Sequence, residues 1–285
     1  MLLELWPYPY LVMIMNDFAR PRKALGQNFL EDHNIIRKIV ASLHLCDDDI
    51  VLEIGPGRGA LTEHLLQRSS QLHIVEFDRD LIKYWQSRSA GNELGTEKLV
   101  VHGSDILDFD LDHILSSTDK QIKVIGNLPY NISSPVLFHL SAYADRIERQ
   151  VVMLQKEVVD RLVSEPGSKT YGRLSVMIQQ KYQVERQFNV SPQSFNPAPK
   201  VDSAVVALTP LRGAPQMSVN DTNFSKLVKQ AFSMRRKTLR NNLKGLLSSE
   251  VITELGIDPS VRAETLSVEQ FVVLTNRYTL LTENA

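Results

Sequence analysis

The stretch that decides the fold is Val124-Ile-Gly-Asn-Leu-Pro-Tyr-Asn-Ile-Ser-Ser-Pro135. Its branched apolar residues, together with Ile122, predict a buried strand that ends at Gly126. Pro129 fixes its own φ and holds Leu128 extended, so the strand is followed by a rigid turn. In open α/β sheets, ligands bind at the edge where such strands end.

The turn carries an amide at Asn127, a backbone carbonyl at Leu128 and an aromatic ring at Tyr130. Two oxygen acceptors suit a flat base that bears an exocyclic NH2, and an aromatic ring can stack on an unpaired base. The alternative is an ordinary strand-to-helix turn, in which Asn127 caps the helix and Tyr130 packs. The turn alone does not decide between these interpretations.

Earlier buried runs end in glycine or an acid as well. They are Ile50–Ile54 before Gly55, Gly57 and Gly59; Leu72–Phe77, which contains Glu76; and Lys98–Gly103 before Asp105. A glycine turn lets the backbone approach a ligand, Glu76 can accept both hydroxyls of a ribose, and Asp105 can accept from an adenine amine. Each acid could instead be a helix cap, but three such strand ends in succession favour a nucleotide site.

Strands that alternate with helices predict a doubly wound α/β sheet. Gly55-x-Gly57-x-x-Ala60 also satisfies the dinucleotide fingerprint, with Glu76 at the expected acidic position, so an NAD-dependent enzyme is an alternative. Two features oppose it. The turn carries a further glycine at Gly59 and an acid at Glu53, and a dehydrogenase has no obvious use for Asn-Leu-Pro-Tyr.

The second half of the sheet is less regular. We expect a strand at Gln150–Gln155, a helix at Lys156–Val163, a helix or strand at Leu174–Tyr182, and an antiparallel edge formed by Phe188–Val190 and Ser203–Leu208. A stiff loop with Pro197 and Pro199 presents Phe195 and Lys200. Phe195 is either a packing residue or a second aromatic plate opposite Tyr130.

The pattern becomes helical after a linker at 211–216. Phe224–Ser249 contains seven basic residues and no acid: Lys226, Lys229, Arg235, Arg236, Lys237, Arg240 and Lys244. A charge run is usually a solvated face, but this unbalanced sign favours phosphate contact. We therefore predict a catalytic domain at 16–210 and a helical domain at 211–285.

Residues 1–15 are too short to span a bilayer and lack the basic start of a signal peptide. We interpret them as an extension or as the result of a misassigned start, with Met15 as the alternative start. Residues 20–30 predict either a solvated loop or an arm. In the second case Arg20, Arg22 and Lys23 touch phosphate, and Asn28 and Leu30 fold over a ligand.

Composition limits the function without identifying it. The chain has 285 residues with a formal net charge of −1, so any surface that attracts nucleic acid must be local. Cys46 is the only cysteine, and the seven histidines show no metal-ligand spacing. The sequence therefore predicts a cytoplasmic protein without a disulfide framework, a metal centre or a membrane partner.

Glu53-x-Gly55-x-Gly57-x-Gly59, with Glu76, Asp105 and Asn127-Leu-Pro-Tyr130, resembles the S-adenosylmethionine-dependent methyltransferases of exocyclic base amines. Further motifs resemble the bacterial small-subunit ribosomal RNA adenine dimethyltransferases, the kasugamycin-sensitivity family. These are Lys23-Ala-Leu-Gly-Gln-Asn-Phe-Leu30, Leu154-Gln-Lys-Glu-Val158, Tyr171-Gly-Arg-Leu-Ser-Val176, Phe195-x-Pro-x-Pro-Lys-Val-Asp-Ser203 and Met234-Arg-Arg-Lys-Thr-Leu-Arg-Asn-Asn242. Residues 1–15 have no counterpart in that pattern.

The resemblance implies a Rossmann-like class I methyltransferase sheet with a small helical C-terminal domain. It also implies a monomer that uses S-adenosylmethionine and dimethylates two adjacent adenosines in the 3′-terminal hairpin of 16S rRNA, within an immature 30S subunit.

The resemblance also assigns roles to residues of this sequence. The implied catalytic residues are Asn127, Leu128, Tyr130 and Phe195, and the implied cofactor contacts are Asn28, Leu30, Gly55, Gly57, Glu76, Asp105 and Asn127. The implied RNA contacts are Arg20, Arg22, Lys23, Lys200, Arg235, Arg236, Lys237 and Arg240. No metal is implied.

Two rival functions stay open on the sequence. One is a related large-subunit RNA methyltransferase of the antibiotic-resistance type, which the Pro-x-Pro-Lys-Val-Asp-Ser loop and the basic helices disfavour. The other is a non-enzymatic role of the same fold, as an assembly checkpoint or a transcription factor.

Overall fold

The computed structural model describes residues 27–91, 96–212 and 220–283. The predictions for the extension at 1–15 and for Arg20, Arg22 and Lys23 lie outside these residues. A doubly wound sheet forms the centre of the molecule, and helices cover both of its faces.

The described residues form nine strands: β1 Phe29–Leu30, β2 Ile50–Ile54, β3 Gln71–Glu76, β4 Leu99–Gly103, β5 Ile122–Asn127, β6 Ile147–Gln155, β7 Tyr182–Val190, β8 Phe195–Asn196 and β9 Ser203–Pro210. Seven of them form the central sheet, in the order β4-β3-β2-β5-β6-β9-β7, and β1 and β8 form a separate two-stranded sheet. Strands β2 to β6 are parallel, whereas β9 is antiparallel to β6 and to β7. The predicted parallel sheet with an antiparallel edge is confirmed.

The structure extends one predicted strand and decides one segment that the sequence left open. The short run predicted at Phe188–Val190 is the end of a nine-residue strand, because the chain re-enters the sheet at Tyr182. The stretch that the sequence left as helix or strand is a helix, Arg173–Gln179, followed directly by that strand. The deciding stretch forms β5 as expected, with Asn127 as its last residue.

The helices follow the strands along the chain. They are α1 His33–Ser42, α2 Thr62–Leu66, α3 Arg79–Ala90, α4 Asp112–Leu115, α5 Ser133–Ser141, α6 Lys156–Leu162, α7 Arg173–Gln179, α8 Asp221–Ala231, α9 Leu239–Asn242, α10 Ser249–Glu254 and α11 Val268–Glu283. Asp32 caps α1, because its carboxylate accepts from the backbone N–H of Asn34 and of Ile35. None of the described helices is both long and apolar enough to cross a bilayer.

Alternating residues of β2 explain why four of its five residues are apolar, with Glu53 as the exception. Leu52 and Ile54 face a core that is completed by α4, α5 and α6, whereas Val51 faces a second core beneath α1, α2 and α3. A strand buried on both faces reads as a continuous apolar run. The ligand-binding edge is thereby held by packing on both sides of the sheet.

A third core lies among the C-terminal helices. It includes Phe224, Leu239 and Phe271 from those helices, and also Tyr171 and Val176 from the α7 region. Helix α7 therefore packs against the C-terminal helices, although it precedes the predicted boundary at 211.

Two histidines face each other on neighbouring strands, with His73 buried on β3 and His102 half-buried on β4. Nδ1 of His73 lies 3.0 Å from Nε2 of His102, and the two rings stack. His73 is only 5% exposed, and burial lowers its pKa to about 4. The described residues contain no group of three or more potential ligands that could hold a metal ion. The pair is therefore a packing feature whose neutral form the fold requires.

We predict that this burial makes the fold sensitive to acid. The unfolded chain takes up a proton at His73 below about pH 6.5, whereas the folded chain resists protonation down to about pH 4. Between pH 7 and 5.5, the wild-type protein should lose about 1 kcal/mol more unfolding free energy than His73→Gln, which cannot titrate. Urea unfolding at several pH values measures this difference, and parallel curves for the two proteins would contradict the prediction.

Candidate active site

The glycine turn after β2 is shaped by backbone conformation and by one large ring. Gly57 and Gly59 have φ values of +55° and +89°, in the left-handed region. A Cβ at Gly59 would lie 2.8 Å from the Trp85 ring, so a side chain cannot fit there. Trp85 also donates from Nε1 to the Gly57 carbonyl at 3.1 Å. Trp85 of α3 therefore holds the turn in this conformation.

Glu76 ends β3 beside this turn. Its Oε1 accepts from the backbone N–H of Phe77 and of Asp78, both at 2.9 Å, and its Oε2 accepts a longer bond from Gly57 at 3.4 Å. Burial raises the pKa of Glu76, and these backbone donors partly oppose the shift. The carboxylate is thus held in one orientation, with Oε2 towards the glycine turn.

Asp105 follows β4, the strand that pairs with β3. The strand ends that carry Asp105 and Glu76 are therefore neighbours in the sheet. The backbone N–H of Ser104 donates to the Glu76 carbonyl at 3.0 Å, and Oδ1 of Asp105 accepts from Leu107 at 2.9 Å. The side chain is half-buried. The predicted proximity of these strand ends is confirmed, whereas their roles toward a ligand stay predictions.

Asn127 closes β5 and contacts the N-terminal arm. Its Nδ2 donates to the carbonyl of Asn28 at 3.1 Å, so its Oδ1 is oriented away from that contact. Leu128 is anchored by its buried side chain and by a bond from its N–H to the Met153 carbonyl at 3.2 Å. No hydrogen bond from a described residue reaches the Leu128 carbonyl. Asn127 is not a helix cap here, because Ile132 occupies the N-cap position of α5.

The two aromatic residues of the prediction occupy different environments. Tyr130 is half-buried, and its hydroxyl lies 2.7 Å from Oγ of Ser203. Burial raises the pKa of Tyr130, and this hydrogen bond opposes the shift. Phe195 is only 5% exposed and packs in the core that also contains Leu30. Tyr130 therefore presents part of its ring, whereas Phe195 lies mainly beneath the surface.

The arm reaches all of these elements. Phe29 and Leu30 pair antiparallel with Asn196 and Phe195, and the N–H of Glu31 donates to the Ser194 carbonyl at 2.9 Å. The two-residue strand β1 thereby joins the proline-rich loop to the sheet edge. Asn28, predicted as a ligand contact, lies against Asn127 of the Asn-Leu-Pro-Tyr turn, whereas Leu30, the other predicted contact, is 5% exposed and packs in the same core as Phe195.

Sequence reasoning missed Phe77, whose side chain is 58% exposed directly after Glu76. An exposed ring next to a proposed ribose carboxylate can cover one face of an adenine. The signal was present in the sequence, because an aromatic residue at a strand end beside the acid has no packing partner in the strand pattern.

Glu53 was noted in the sequence only as part of a motif. It is 1% exposed, and Oγ1 of Thr62 donates to its Oε2 at 2.7 Å. Burial raises its pKa to about 8, a shift to which the neighbouring Glu63 and Glu76 also contribute. Glu53 therefore links the end of β2 to the start of α2 beneath the glycine turn.

The predicted RNA-contacting residues fall in two places. Lys200 is exposed in the proline-rich loop, while Arg235, Arg236, Lys237 and Arg240 are exposed on the C-terminal helical part. Arg235 also donates to the Lys169 carbonyl at 3.2 Å and lies 3.6 Å from Glu264. Arg235 thus has a structural contact with the loop before α7.

The residues at this edge fit a nucleoside cofactor. A Cβ at Gly55 would meet no atom within 4 Å, so open space lies against that glycine. Glu76 offers an oriented carboxylate, and Phe77 an exposed ring, beside the same turn. The carboxylate can accept from the ribose hydroxyls of S-adenosylmethionine, and the ring can cover its base.

Residues 19–280 match the family model described as Ribosomal RNA adenine dimethylase. The chain belongs to this family. Its members are S-adenosylmethionine-dependent rRNA adenine dimethyltransferases, and the chain is an enzyme of that class. The match covers most of the chain, and it removes the NAD-dependent alternative.

Named relatives agree with the family. The chain is 51% identical over 258 residues to "Ribosomal RNA small subunit methyltransferase A" of Laribacter hongkongensis, which covers 90% of this chain and 96% of that protein. A dimethyladenosine transferase from Plasmodium falciparum superposes with a TM-score of 0.74 at 26% identity, covering 88% of this chain and 98% of that chain.

The 23S rRNA methyltransferase ErmE superposes less closely, with a TM-score of 0.64 at 25% identity, covering 88% of this chain and 100% of that chain. Similarity is therefore greater to the small-subunit enzymes than to this large-subunit enzyme. The expected small-subunit family and the Rossmann-like methyltransferase fold with helical C-terminal region are confirmed.

We predict that Glu53 makes stability fall as pH rises. The folded chain keeps a proton on this carboxyl up to about pH 8, whereas the unfolded chain releases it near pH 4.5, so the stabilisation present at low pH is lost through this window. Glu53→Gln keeps an acceptor for Thr62 and removes the titration. In urea unfolding from pH 5 to 8, the unfolding free energy of the variant should rise relative to that of the wild-type protein as pH rises. A constant difference between the two proteins would contradict the prediction.

Proposed function

We propose that Asn127 carries the function, by accepting the exocyclic amine of a target adenosine at the edge where Glu76 holds the cofactor. The reaction is the transfer of four methyl groups from S-adenosylmethionine to two adjacent adenosines in the 3′-terminal hairpin of 16S rRNA. The orientation of the Asn127 amide supports this proposal, because Nδ2 is bonded to Asn28 and Oδ1 is left to accept.

The cofactor-binding residues in this proposal lie on neighbouring strand ends. Glu76 accepts the ribose hydroxyls, Asp105 accepts from the adenine amine, and Phe77 covers the ring. The backbone of the Gly55–Gly57 turn lies along the rest of the cofactor, and Asn28 and Leu30 of the arm close the site. The bound cofactor supplies an electrophilic methyl group on a sulfonium, so no metal is required by the chemistry.

The amine of adenine is a poor nucleophile, because its lone pair is delocalised into the ring. Oδ1 of Asn127 and the carbonyl of Leu128 can each accept one of its N–H groups. Two such acceptors favour a pyramidal nitrogen and direct its lone pair towards the methyl group. The turn therefore contributes orientation and electrostatic stabilisation, and it need not act as a strong base.

The target base has to leave its stack to reach this turn, at a cost of a few kcal/mol. Stacking on an aromatic ring contributes about 1–3 kcal/mol per base and offsets much of that cost. Tyr130 provides this surface in the conformation described. Phe195 is the proposed second plate, but its ring has to become more exposed before it can contact a base.

The proposed substrate is 16S rRNA within an immature 30S subunit, bound by a monomeric enzyme in the cytoplasm. Lys200 lies in the same loop as Phe195, so we propose that it contacts phosphate next to the target. Arg235, Arg236, Lys237 and Arg240 form the proposed second contact, on the helical domain that we place at 211–285. The absence of acids from Phe224–Ser249 supports this assignment.

Asn127→Ala should lower the turnover number at least a hundredfold, because it removes an acceptor that is aligned with the reacting nitrogen. Its affinity for the small subunit should change less than threefold. Asn131→Ala, in the exposed part of the same loop, is the matched control and should keep wild-type turnover. Single-turnover methyl transfer and filter binding measure both quantities. Wild-type turnover in Asn127→Ala would rule out the acceptor role.

Arg236→Ala combined with Lys237→Ala should weaken binding to the small subunit and flatten its salt dependence. Each lost phosphate contact lowers the slope of log affinity against log salt by about 0.7–0.9. These two residues are better choices than Arg235, which has contacts within the fold.

The control for this pair is Arg68→Ala with Lys83→Ala, which removes the same charge from exposed positions of the catalytic part. It should leave the slope near the wild-type value. Equal slopes for the two double variants would mean that the basic run is a solvated surface and does not contact the RNA.

A further inference from the structure

Arg58 lies inside the glycine turn, where the motif requires no particular side chain. Its guanidinium carbon is 4.4 Å from the centroid of the Phe29 ring. The same ring lies 3.2 Å from the position that a Cβ on Gly57 would occupy. The Phe29 ring is therefore packed between the bare backbone of Gly57 and the Arg58 side chain.

This contact differs from the other attachments of the arm. Asn28 is joined to Asn127 through its carbonyl, and Leu30 and Glu31 are joined to the proline-rich loop through backbone pairing. The Phe29–Arg58 stack ties the arm to the glycine turn, and Gln27 Nε2 also donates to Oδ2 of Asp78, two residues after β3, at 3.1 Å. Burial lowers the pKa of Arg58, and the Glu31 carboxylate of the arm opposes that shift.

We propose that Arg58 is a positioning residue that closes the arm over the cofactor site by stacking on Phe29. The inference rests on the proposed function, because it concerns the same cofactor site. The Phe29 ring packs against Gly57 of the glycine turn, and the Asn28 carbonyl accepts from Asn127, so the arm contacts the turns that follow β2 and β5. In this proposal the cofactor enters or leaves when the arm separates from the glycine turn. The stack resists that separation without touching the reacting atoms.

The strength of the Phe29–Arg58 stack limits which properties of the protein it can affect. A cation–π contact of this kind changes an equilibrium constant by about twofold when it is exposed and by up to about thirtyfold when it is desolvated. That range is too small to hold the fold together. It is large enough to change the equilibrium between a closed and an open arm several-fold. Loss of the stack should therefore weaken cofactor binding and leave chemistry intact once the cofactor is bound.

The test compares wild-type protein with Arg58→Met, Phe29→Leu and the double variant, by calorimetric titration with S-adenosylhomocysteine. Each single variant should raise the dissociation constant about fivefold. The double variant should be no weaker than the weaker single variant, because both changes remove one contact. Phe29→Tyr keeps the ring and should bind within twofold of the wild-type protein.

Activity and stability separate this role from a purely structural one. In Arg58→Met, the KM for S-adenosylmethionine should rise by the same factor, with kcat at saturating cofactor and the KM for the small subunit unchanged. The thermal midpoint of the protein without cofactor should move by less than 2 °C, on the order expected for a surface change.

Unchanged S-adenosylhomocysteine affinity in Arg58→Met, or effects of the two single variants that add fully, would overturn the inference. A fall in kcat with unchanged KM would overturn it as well. These results are distinct from failure of the proposed function, which would appear as absence of methyl transfer by the wild-type protein. Wild-type cofactor binding would still be measurable in that case.

Discussion

The hydrogen bond between Asn127 and the Asn28 carbonyl is the interaction on which the site depends. It joins two segments that are 99 residues apart, and it fixes which end of the Asn127 amide is left to accept. Two larger features hold its ends in place. The buried β5 strand positions Asn127, and the pairing of β1 with β8 positions Asn28. A single polar contact therefore connects the parallel sheet, the arm and the proline-rich loop.

Much of this arrangement could be predicted from local sequence. The strands β2, β3, β4 and β5 are predominantly apolar runs that end at or next to glycine, an acid or an amide, and parallel strands bring such ends to one edge. Gly59 could be recognised as essential to the turn because of its place in the motif, and its physical reason is the Trp85 ring. The antiparallel edge was predicted from two short apolar runs, Phe188–Val190 and Ser203–Leu208.

Other features depend on contacts between distant residues, which a single sequence does not reveal. Pattern alone left Phe195 as a plate or a packing residue, and its burial arises from pairing with Leu30 of the arm. The His73–His102 pair is 29 residues apart in sequence, outside any local spacing. Helix α7 packs with the C-terminal helices through Tyr171 and Val176, so the two parts of the chain share a surface that the linker position does not indicate.

This edge of the sheet is proposed to transfer methyl groups to two adjacent adenosines of the small-subunit RNA. The most direct measurement incubates the protein and labelled S-adenosylmethionine with small and large ribosomal subunits that lack the modification, and then maps the labelled base. The account predicts label as N6,N6-dimethyladenine at two adjacent adenosines near the 3′ end of 16S rRNA. Label confined to the large subunit, or no label while the protein still binds the cofactor, would contradict it.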